Sequence, residues 1–183
     1  MTAWRQAGAL LSALGTAFAN LLRPDRRAPR IDLAAGDVAP DFALPASDGR
    51  TYRLSELRGR VVVMAWFPKA FTAGCTSECQ SIGMSRAALG AFDAAIFAAS
   101  CDTVAMNREF AASTAIDFPI LSDPDKSVAR AYGVLGPLGL PSRWTVYIGT
   151  DGRILTIDRD VRPRNHGGDI GVALEHFGVP RRP

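Results

Sequence analysis

The feature that most limits how this chain can fold is an uninterrupted apolar run at residues 61–67, which begins with three valines. Such a run is typical of a strand buried on both faces, because polar residues do not alternate along it. A second apolar run covers residues 94–100. Between them, residues 72–89 contain no proline and are numerous enough for a helix. Strand, helix and strand in this order predict a right-handed crossover between parallel strands.

The rest of the chain predicts further elements around this crossover. Asp151-Gly152 lies between residues 144–148 and 153–157 and predicts a β-hairpin. The other predicted elements are a hairpin of residues 41–44 and 51–54 and helices at about residues 104–113, 124–132 and 169–177. A β-α-β unit followed by a hairpin and a closing helix is the order of a thioredoxin-like α/β sandwich. Its central mixed β-sheet has flanking helices.

The length of 183 residues suits one compact domain with a short appendage. Residues 1–22 predict an amphipathic N-terminal helix, because apolar side chains recur every three or four positions. Residues 23–35 predict a linker rich in Pro, Arg and Ala, and residues 36–183 the domain. Three roles stay open for the helix. It packs on its own domain or a second subunit, it binds a membrane surface through the arginines that follow, or residues 1–19 act as a signal peptide for export.

Charge and composition exclude several classes of protein. Residues 1–30 carry five arginines and one acid, a net charge of +4, so residues 31–183 carry −1. A domain so close to neutral lacks the basic surface that nucleic acid requires. Two histidines are too few and too scattered for a metal site, and no glycine-rich loop predicts a cofactor. Three cysteines, an odd number, indicate reactive or incidental thiols rather than a disulfide framework.

Cys75 is the strongest candidate for chemistry. It follows the central strand and stands where the next helix begins, at the carboxyl edge of the sheet. There the free N–H groups and the helix dipole favour the thiolate, which is the nucleophilic form. The alternative is a buried, unreactive cysteine that packs as a small apolar side chain.

The residues around Cys75 resemble those of a known family. Pro68, Thr72 and Cys75 have the spacing P-x-x-x-T-x-x-C, which is the signature of peroxiredoxins. The resemblance continues, in the same order as in the family, through residues 36–42, 48–49, 57–59, 122–124 and 131–134 to Arg143. The chain most resembles the bacterioferritin-comigratory, or Q-type, branch.

The resemblance implies a role for each of these residues. Cys75 is expected to attack the peroxide, Thr72 to hydrogen-bond the thiolate and peroxide, and Pro68 to shield the site from water. Arg143 is expected to stabilise the thiolate and the charge on the departing oxygen. Glu78 is a possible partner that orients an arginine, and Gly74 a further supporting residue; both are equally compatible with a helix surface. The expected product on Cys75 is a sulfenic acid.

The second cysteine departs from the pattern of the Q-type branch. Cys79 stands four residues after Cys75, whereas the branch usually places its resolving cysteine five residues after, where this chain has Gln80. Residues four apart on a helix have Cβ atoms about 5 to 6 Å apart, and a disulfide requires about 4 Å. Cys79 therefore resolves the sulfenic acid only if the helix unwinds locally. A single-cysteine cycle with an outside thiol, or resolution by Cys101, stays open.

The resemblance also implies the partners. The expected function is a thiol-dependent peroxidase that reduces hydrogen peroxide and organic hydroperoxides and is recycled by thioredoxin or another thiol reductant. The protein is expected to be cytoplasmic and to be a monomer or a homodimer. The alternatives are a thiol-disulfide oxidoreductase on the same fold, which would ordinarily carry C-x-x-C, and a redox-sensing interaction protein.

Overall fold

The computed structural model describes residues 31–114 and 116–182. The predicted N-terminal helix and the first part of the predicted linker lie outside the described residues. Among the helices within those ranges, none is both long enough and apolar enough to cross a membrane.

The strands fall into two sheets. A small antiparallel pair joins β1 (Ala43–Pro45) and β2 (Thr51–Arg53). In the described part of the chain, the main sheet has five strands in the order β5-β4-β3-β6-β7. These are β3 (Val61–Trp66), β4 (Ala94–Ser100), β5 (Ile120–Ser122), β6 (Thr145–Ile148) and β7 (Ile154–Asp158). β4 runs parallel to β3 and to β5, while β6 is antiparallel to β3 and to β7. The sheet is therefore mixed, as the sequence predicted.

The helices connect and cover this sheet. A short 3-10 helix covers Leu54–Leu57. The α-helices are α1 (Ala73–Met84), α2 (Arg86–Gly90), α3 (Val104–Thr114), α4 (Ser127–Ala131) and α5 (His166–His176). α1 and α2 form the predicted crossover between β3 and β4, and α5 packs against both of them.

The central strand β3 is buried along its whole length, which confirms the prediction from its apolar run. Val62, Met64 and Trp66 belong to a cluster that includes the β1–β2 hairpin and Tyr132. Val61, Val63 and Ala65 belong to a second cluster, with residues of α1, α2 and α5. Alternate side chains of β3 therefore enter the cores on opposite faces of the sheet.

Three helix boundaries differ from the prediction. The helix predicted at residues 72–89 is interrupted at Ser85, where α5 packs closely against the chain. The helix predicted at residues 124–132 shrinks to α4, because Lys126 has a left-handed backbone (φ 63°). Two aspartates then cap α4 through the N–H groups of Ser127 and Ala129. The last helix begins at His166, three residues before the predicted start.

Candidate active site

Cys75 is the third residue of α1 and lies in its first turn, just beyond the carboxyl end of β3. Its side chain is fully buried. The N–H groups of a first helical turn have no partner within the helix, and they carry the positive end of the helix dipole. A partial positive charge therefore lies at the Cys75 thiol, as the sequence predicted.

Arg143 reaches this thiol from a distant part of the chain. Its Nη2 lies 3.4 Å from Cys75 Sγ. The sheet explains the approach, because β6 is antiparallel to β3 and so begins where β3 ends. The N–H of Trp66 donates to the carbonyl of Trp144 at 2.8 Å, next to Arg143. The predicted pairing of Cys75 with an arginine thus follows from strand order.

Gly74 lies under the Arg143 guanidinium. A Cβ built on Gly74 would lie 3.2 Å from Nη2, which is closer than side chains ordinarily approach. The missing side chain therefore gives the guanidinium room to reach the thiol.

Glu78 holds the other side of the guanidinium. Its Oε2 accepts a hydrogen bond from Arg143 Nη1, and Glu78 is only 1% exposed. A buried carboxylate of this kind requires charged or hydrogen-bonding partners. The structure thus brings together Cys75, Arg143 and Glu78, and one guanidinium contacts both the thiol and the carboxylate.

The sequence reasoning missed His166. Its ring is buried, with Nδ1 2.9 Å from Glu78 Oε1 and Nε2 2.7 Å from Thr145 Oγ1. The two histidines indicated no metal site in the sequence, and His166 is far from Cys75 along the chain. Thr145 is the sequence signal that could have indicated a residue such as His166, because a polar residue at the start of a buried strand needs a buried polar partner.

The loop from β3 to α1 holds Pro68 and Thr72. Pro68 is half-buried, and Thr72 is exposed at the N-cap of α1. The Thr72 hydroxyl donates to the carbonyl of Lys69 at 3.0 Å. Among the described residues the Thr72 hydroxyl makes no hydrogen bond to Cys75. Because its hydrogen is directed to Lys69, its oxygen can only accept a further hydrogen bond in this conformation.

Asp102 anchors the same loop from the end of β4, and the sequence reasoning did not single it out. Its Oδ2 accepts from the N–H of Ala70 at 2.8 Å, and its Oδ1 pairs with Lys69 Nζ. Asp102 is buried. The loop that leads into α1 is therefore fastened to the neighbouring strand.

The three cysteines are free thiols in different surroundings. Cys79 is fully buried one turn after Cys75. Burial raises its pKa well above the usual range, and the negative charge of Glu78 adds to this effect. Cys101 is half-buried, and burial with the nearby Asp123 raises its pKa to about 11. Both are therefore protonated at neutral pH and are poor nucleophiles in this conformation.

A cleft of about 580 Å³ opens beside the first turn of α1. It is lined by Ala73, Gly74 and Ser77 on one side and by Val161, Arg162, Pro163, Arg164 and Asn165 on the other. The backbone that surrounds Cys75 thus forms one wall of a concave surface, which is the usual shape of a substrate site.

Comparisons with known proteins show the family to which the chain belongs. Residues 35–157 match the model of the AhpC/TSA family. A putative peroxiredoxin of Mycobacterium tuberculosis is 33% identical over 144 residues, which cover 73% of this chain and 90% of the relative. Peroxiredoxin Bcp of Escherichia coli is 30% identical over 141 residues, with the same two coverages.

Solved structures give the same result. Peroxidoxin BcpB of Mycobacterium tuberculosis has a TM-score of 0.71 at 31% identity, covering 80% of this chain and 98% of that one. The bacterioferritin comigratory protein of Xanthomonas campestris, studied for its alkyl peroxide reduction, has a TM-score of 0.70 at 25% identity. The match covers 74% of this chain and 91% of that protein. The chain therefore belongs to the AhpC/TSA family and is a peroxiredoxin of the Bcp and Q type, a thiol-dependent peroxidase with a thioredoxin-like fold.

Proposed function

We propose that Cys75 is the cysteine that attacks peroxide, and that Arg143 and Glu78 complete its site. The observation that carries the proposal is the 3.4 Å contact between Arg143 Nη2 and Cys75 Sγ at the N-terminus of α1. A fixed positive charge beside the sulfur favours its ionised form and stabilises charge that develops nearby. Of the three cysteines, Cys75 is the one with this contact in the described residues.

The first step is nucleophilic displacement at the peroxide oxygen. The Cys75 thiolate forms an S–O bond as the O–O bond breaks, which leaves a sulfenic acid and an alkoxide or hydroxide. The leaving oxygen takes up a proton and departs as alcohol or water. Arg143 Nη2, which lies 3.4 Å from Sγ, would stabilise the negative charge on this oxygen. Reduction of alkyl peroxides is described for the Xanthomonas campestris relative, and we extend that substrate class to this chain.

We propose that Cys79 then resolves the sulfenic acid. Its thiolate would attack the Cys75 sulfur, form a disulfide and release the oxygen as water. On intact α1 the two Cβ atoms are about 5 to 6 Å apart, so the first turns must unwind. The N-cap residue Thr72 makes no side-chain hydrogen bond to the helix, so this unwinding breaks no hydrogen bond of that cap. Unwinding also exposes Cys79 to water, which removes the main cause of its raised pKa.

Thioredoxin is the reductant that we propose, because it reduces disulfides by exchange through an exposed dithiol. A cytoplasmic location would keep all three thiols reduced between cycles. The single-cysteine cycle with an outside thiol is the second candidate, since Cys79 is buried and protonated in the folded helix. Membrane contact through residues 1–22 and the monomer or homodimer state stay predictions.

Oxidation by peroxide followed by thiol blocking tests the proposed roles of Cys75 and Cys79. Reduced protein is mixed with one equivalent of hydrogen peroxide, its free thiols are blocked, and its peptides are analysed by mass spectrometry. We expect a disulfide between Cys75 and Cys79 with Cys101 still free. Cys75→Ser should abolish peroxide consumption, and Cys101→Ser should leave it unchanged. A sulfenic or sulfinic acid on Cys75 with Cys79 free would show the single-cysteine cycle, and an unreacted Cys75 would refute the proposal.

A further inference from the structure

His166 is held between two active-site elements although it contacts neither the thiol nor the cleft. Its ring lies at the start of α5, with Glu78 of α1 on one side and Thr145 of β6 on the other. It is 1% exposed. A buried imidazole with a polar atom at each nitrogen has its orientation fixed by both partners.

The two partners also determine which ring nitrogen carries the proton. A carboxylate oxygen only accepts hydrogen bonds, so Nδ1 carries hydrogen toward Glu78. With hydrogen on Nδ1, Nε2 can accept from the hydroxyl of Thr145, whose Oγ1 is 2.7 Å away. One tautomer therefore makes both contacts.

Among the residues that the structure describes, His166 supplies one of the two polar contacts of the Glu78 carboxylate. Arg143 Nη1 occupies Oε2, and His166 Nδ1 lies 2.9 Å from Oε1. The second contact is short but poorly aligned for a linear hydrogen bond, and neither atom has another partner in the described residues. Active-site hydrogen bonds are often loosely aligned until substrate binds. Without His166, one oxygen of a buried carboxylate would have no polar contact there.

We propose that His166 is a positioning residue for the peroxidase reaction. It fixes the plane of the Glu78 carboxylate, and the carboxylate aligns the Arg143 fork so that Nη2 points at Cys75. This inference rests on the proposed role of Cys75. His166 acts on the orientation of the guanidinium, because its ring contacts Glu78 and Thr145 and not the thiol.

Because His166 acts on the orientation of the guanidinium, two reactions of Cys75 should respond differently to its loss. Peroxide reduction needs the thiolate together with an aligned guanidinium that stabilises the departing oxygen. Alkylation by iodoacetamide needs only the thiolate, because its leaving group is iodide. Loss of the His166 contact should therefore slow the first reaction far more than the second.

A matched pair of amide variants tests the proposal. In His166→Asn the side-chain amide lies near the position of Nδ1 and still donates to Glu78. In His166→Gln the amide lies near the position of Nε2 and loses Glu78. His176→Gln changes the chain's other histidine, which is exposed, and is the control. For each protein, single-turnover oxidation by hydrogen peroxide and alkylation by iodoacetamide are followed from pH 5 to 9.

We expect His166→Gln to be oxidised at least about tenfold more slowly than the wild type, because a misplacement of about 1 Å in a catalytic group can slow a reaction by up to about 100-fold. Its alkylation at the plateau of the pH profile should change by less than about twofold, since this reaction uses no orienting group. His166→Asn should recover most of the oxidation rate. Oxidation of His166→Gln at the wild-type rate, an equal loss in both reactions, or an Asn variant as slow as the Gln variant would overturn the proposal.

A second measurement uses an active, folded protein. His176→Gln contains one imidazole, so its ¹⁵N NMR spectrum reports His166 alone. We expect a proton on Nδ1 and none on Nε2 at neutral pH, and the opposite tautomer would overturn the assignment. If the wild type fails to oxidise at Cys75, the proposed function fails first. If the wild type reacts and the variants match it, only the role of His166 fails.

Discussion

At the level of single residues, one side chain contacts both a carboxylate and a thiol. The Arg143 guanidinium places one nitrogen on Glu78 and another 3.4 Å from Cys75 Sγ. A guanidinium does this because its donors are fixed in a planar fork. The ammonium of lysine is a single point charge and cannot reach both groups in the same geometry.

Arg143→Lys should therefore keep the charge and lose the geometry. We expect the rate constant for oxidation of Cys75 by peroxide to fall about 100-fold, the usual effect of removing one donor to a developing oxyanion. Stopped-flow tryptophan fluorescence measures this rate, since Trp66 ends β3 and Trp144 directly follows Arg143 in the chain. Arg153→Lys, at an exposed position, is the control. A loss of less than threefold in Arg143→Lys would contradict the role of the fork.

Gly74→Ala should separate activity from stability. A Cβ at residue 74 lies 3.2 Å from Arg143 Nη2 and pushes the guanidinium away from the thiol, so we expect the oxidation rate to fall several-fold. The free energy of unfolding should change by less than about 1 kcal/mol, because the entropic gain from replacing glycine (about 0.5–1 kcal/mol) is opposed by displacement of the guanidinium from Glu78. Gly90→Ala, with open space around its Cβ, should leave the rate unchanged. Peroxide kinetics and urea unfolding measure the two effects.

Sequence order indicated Cys75, and the family resemblance indicated Arg143, but they did not indicate all of the residues that support the site. Cys75 itself follows from strand and helix order. His166 and Asp102 were missed, because their roles depend on which strands and helices become neighbours. Thr72 lies where the signature places it, but its hydroxyl donates to Lys69 in this structure, and local spacing does not determine a side-chain rotamer.

At the level of elements, α5 is packed unusually closely against α1. A Cβ on Gly167 would lie 2.3 Å from the carbonyl oxygen of Ser81 and 2.4 Å from Ser85 Oγ. The N–H of Gly167 donates to Ser81 Oγ at 3.1 Å. Only glycine fits at position 167 in such close contact with α1. This packing stabilises residues 166–168 as helix, so α5 begins before the predicted start at residue 169. Two adjacent glycines disfavour a helix by propensity, and tertiary packing overrides that preference here.

Gly167→Ala should force α5 away from α1. We expect the free energy of unfolding to fall by about 1–3 kcal/mol, the usual cost of overpacking, as measured by urea denaturation. Gly168→Ala is the matched control, because its Cβ would meet nothing within 4 Å. The control should be neutral or slightly stabilising. Equal stability of the two variants would show that α5 moves freely.

At the scale of the whole molecule, the described domain protects two of its thiols from ionisation. Cys79 and Cys101 have raised pKa values, in both cases mainly through burial. In the unfolded chain a cysteine titrates near about pH 8.5. Folding therefore retains protons that the unfolded chain would release in alkaline solution.

This retention makes stability fall as the pH rises. Between about pH 8.5, the unfolded pKa of cysteine, and the folded pKa of Cys101 of about 11, the unfolded state binds fewer protons, so the free energy of unfolding decreases. Cys101→Ser should make this decrease shallower in reduced protein. Urea denaturation at intervals from pH 7 to 11 measures it. An unchanged slope in the variant would show that Cys101 titrates normally in the fold.

The pairing of β3 with β6 affects how the contact between Cys75 and Arg143 tolerates insertions and deletions in the chain. Cys75 and Arg143 are 68 positions apart, yet their separation is set by the register of two adjacent strands and not by the length of chain between them. The part of the connection that follows α4 and precedes Arg143 can therefore lengthen or shorten while the thiol and guanidinium stay together. A slip of two residues in that register would move Arg143 by about 7 Å and disconnect it from the thiol. The hydrogen bonds that hold the sheet together also keep the reaction centre assembled.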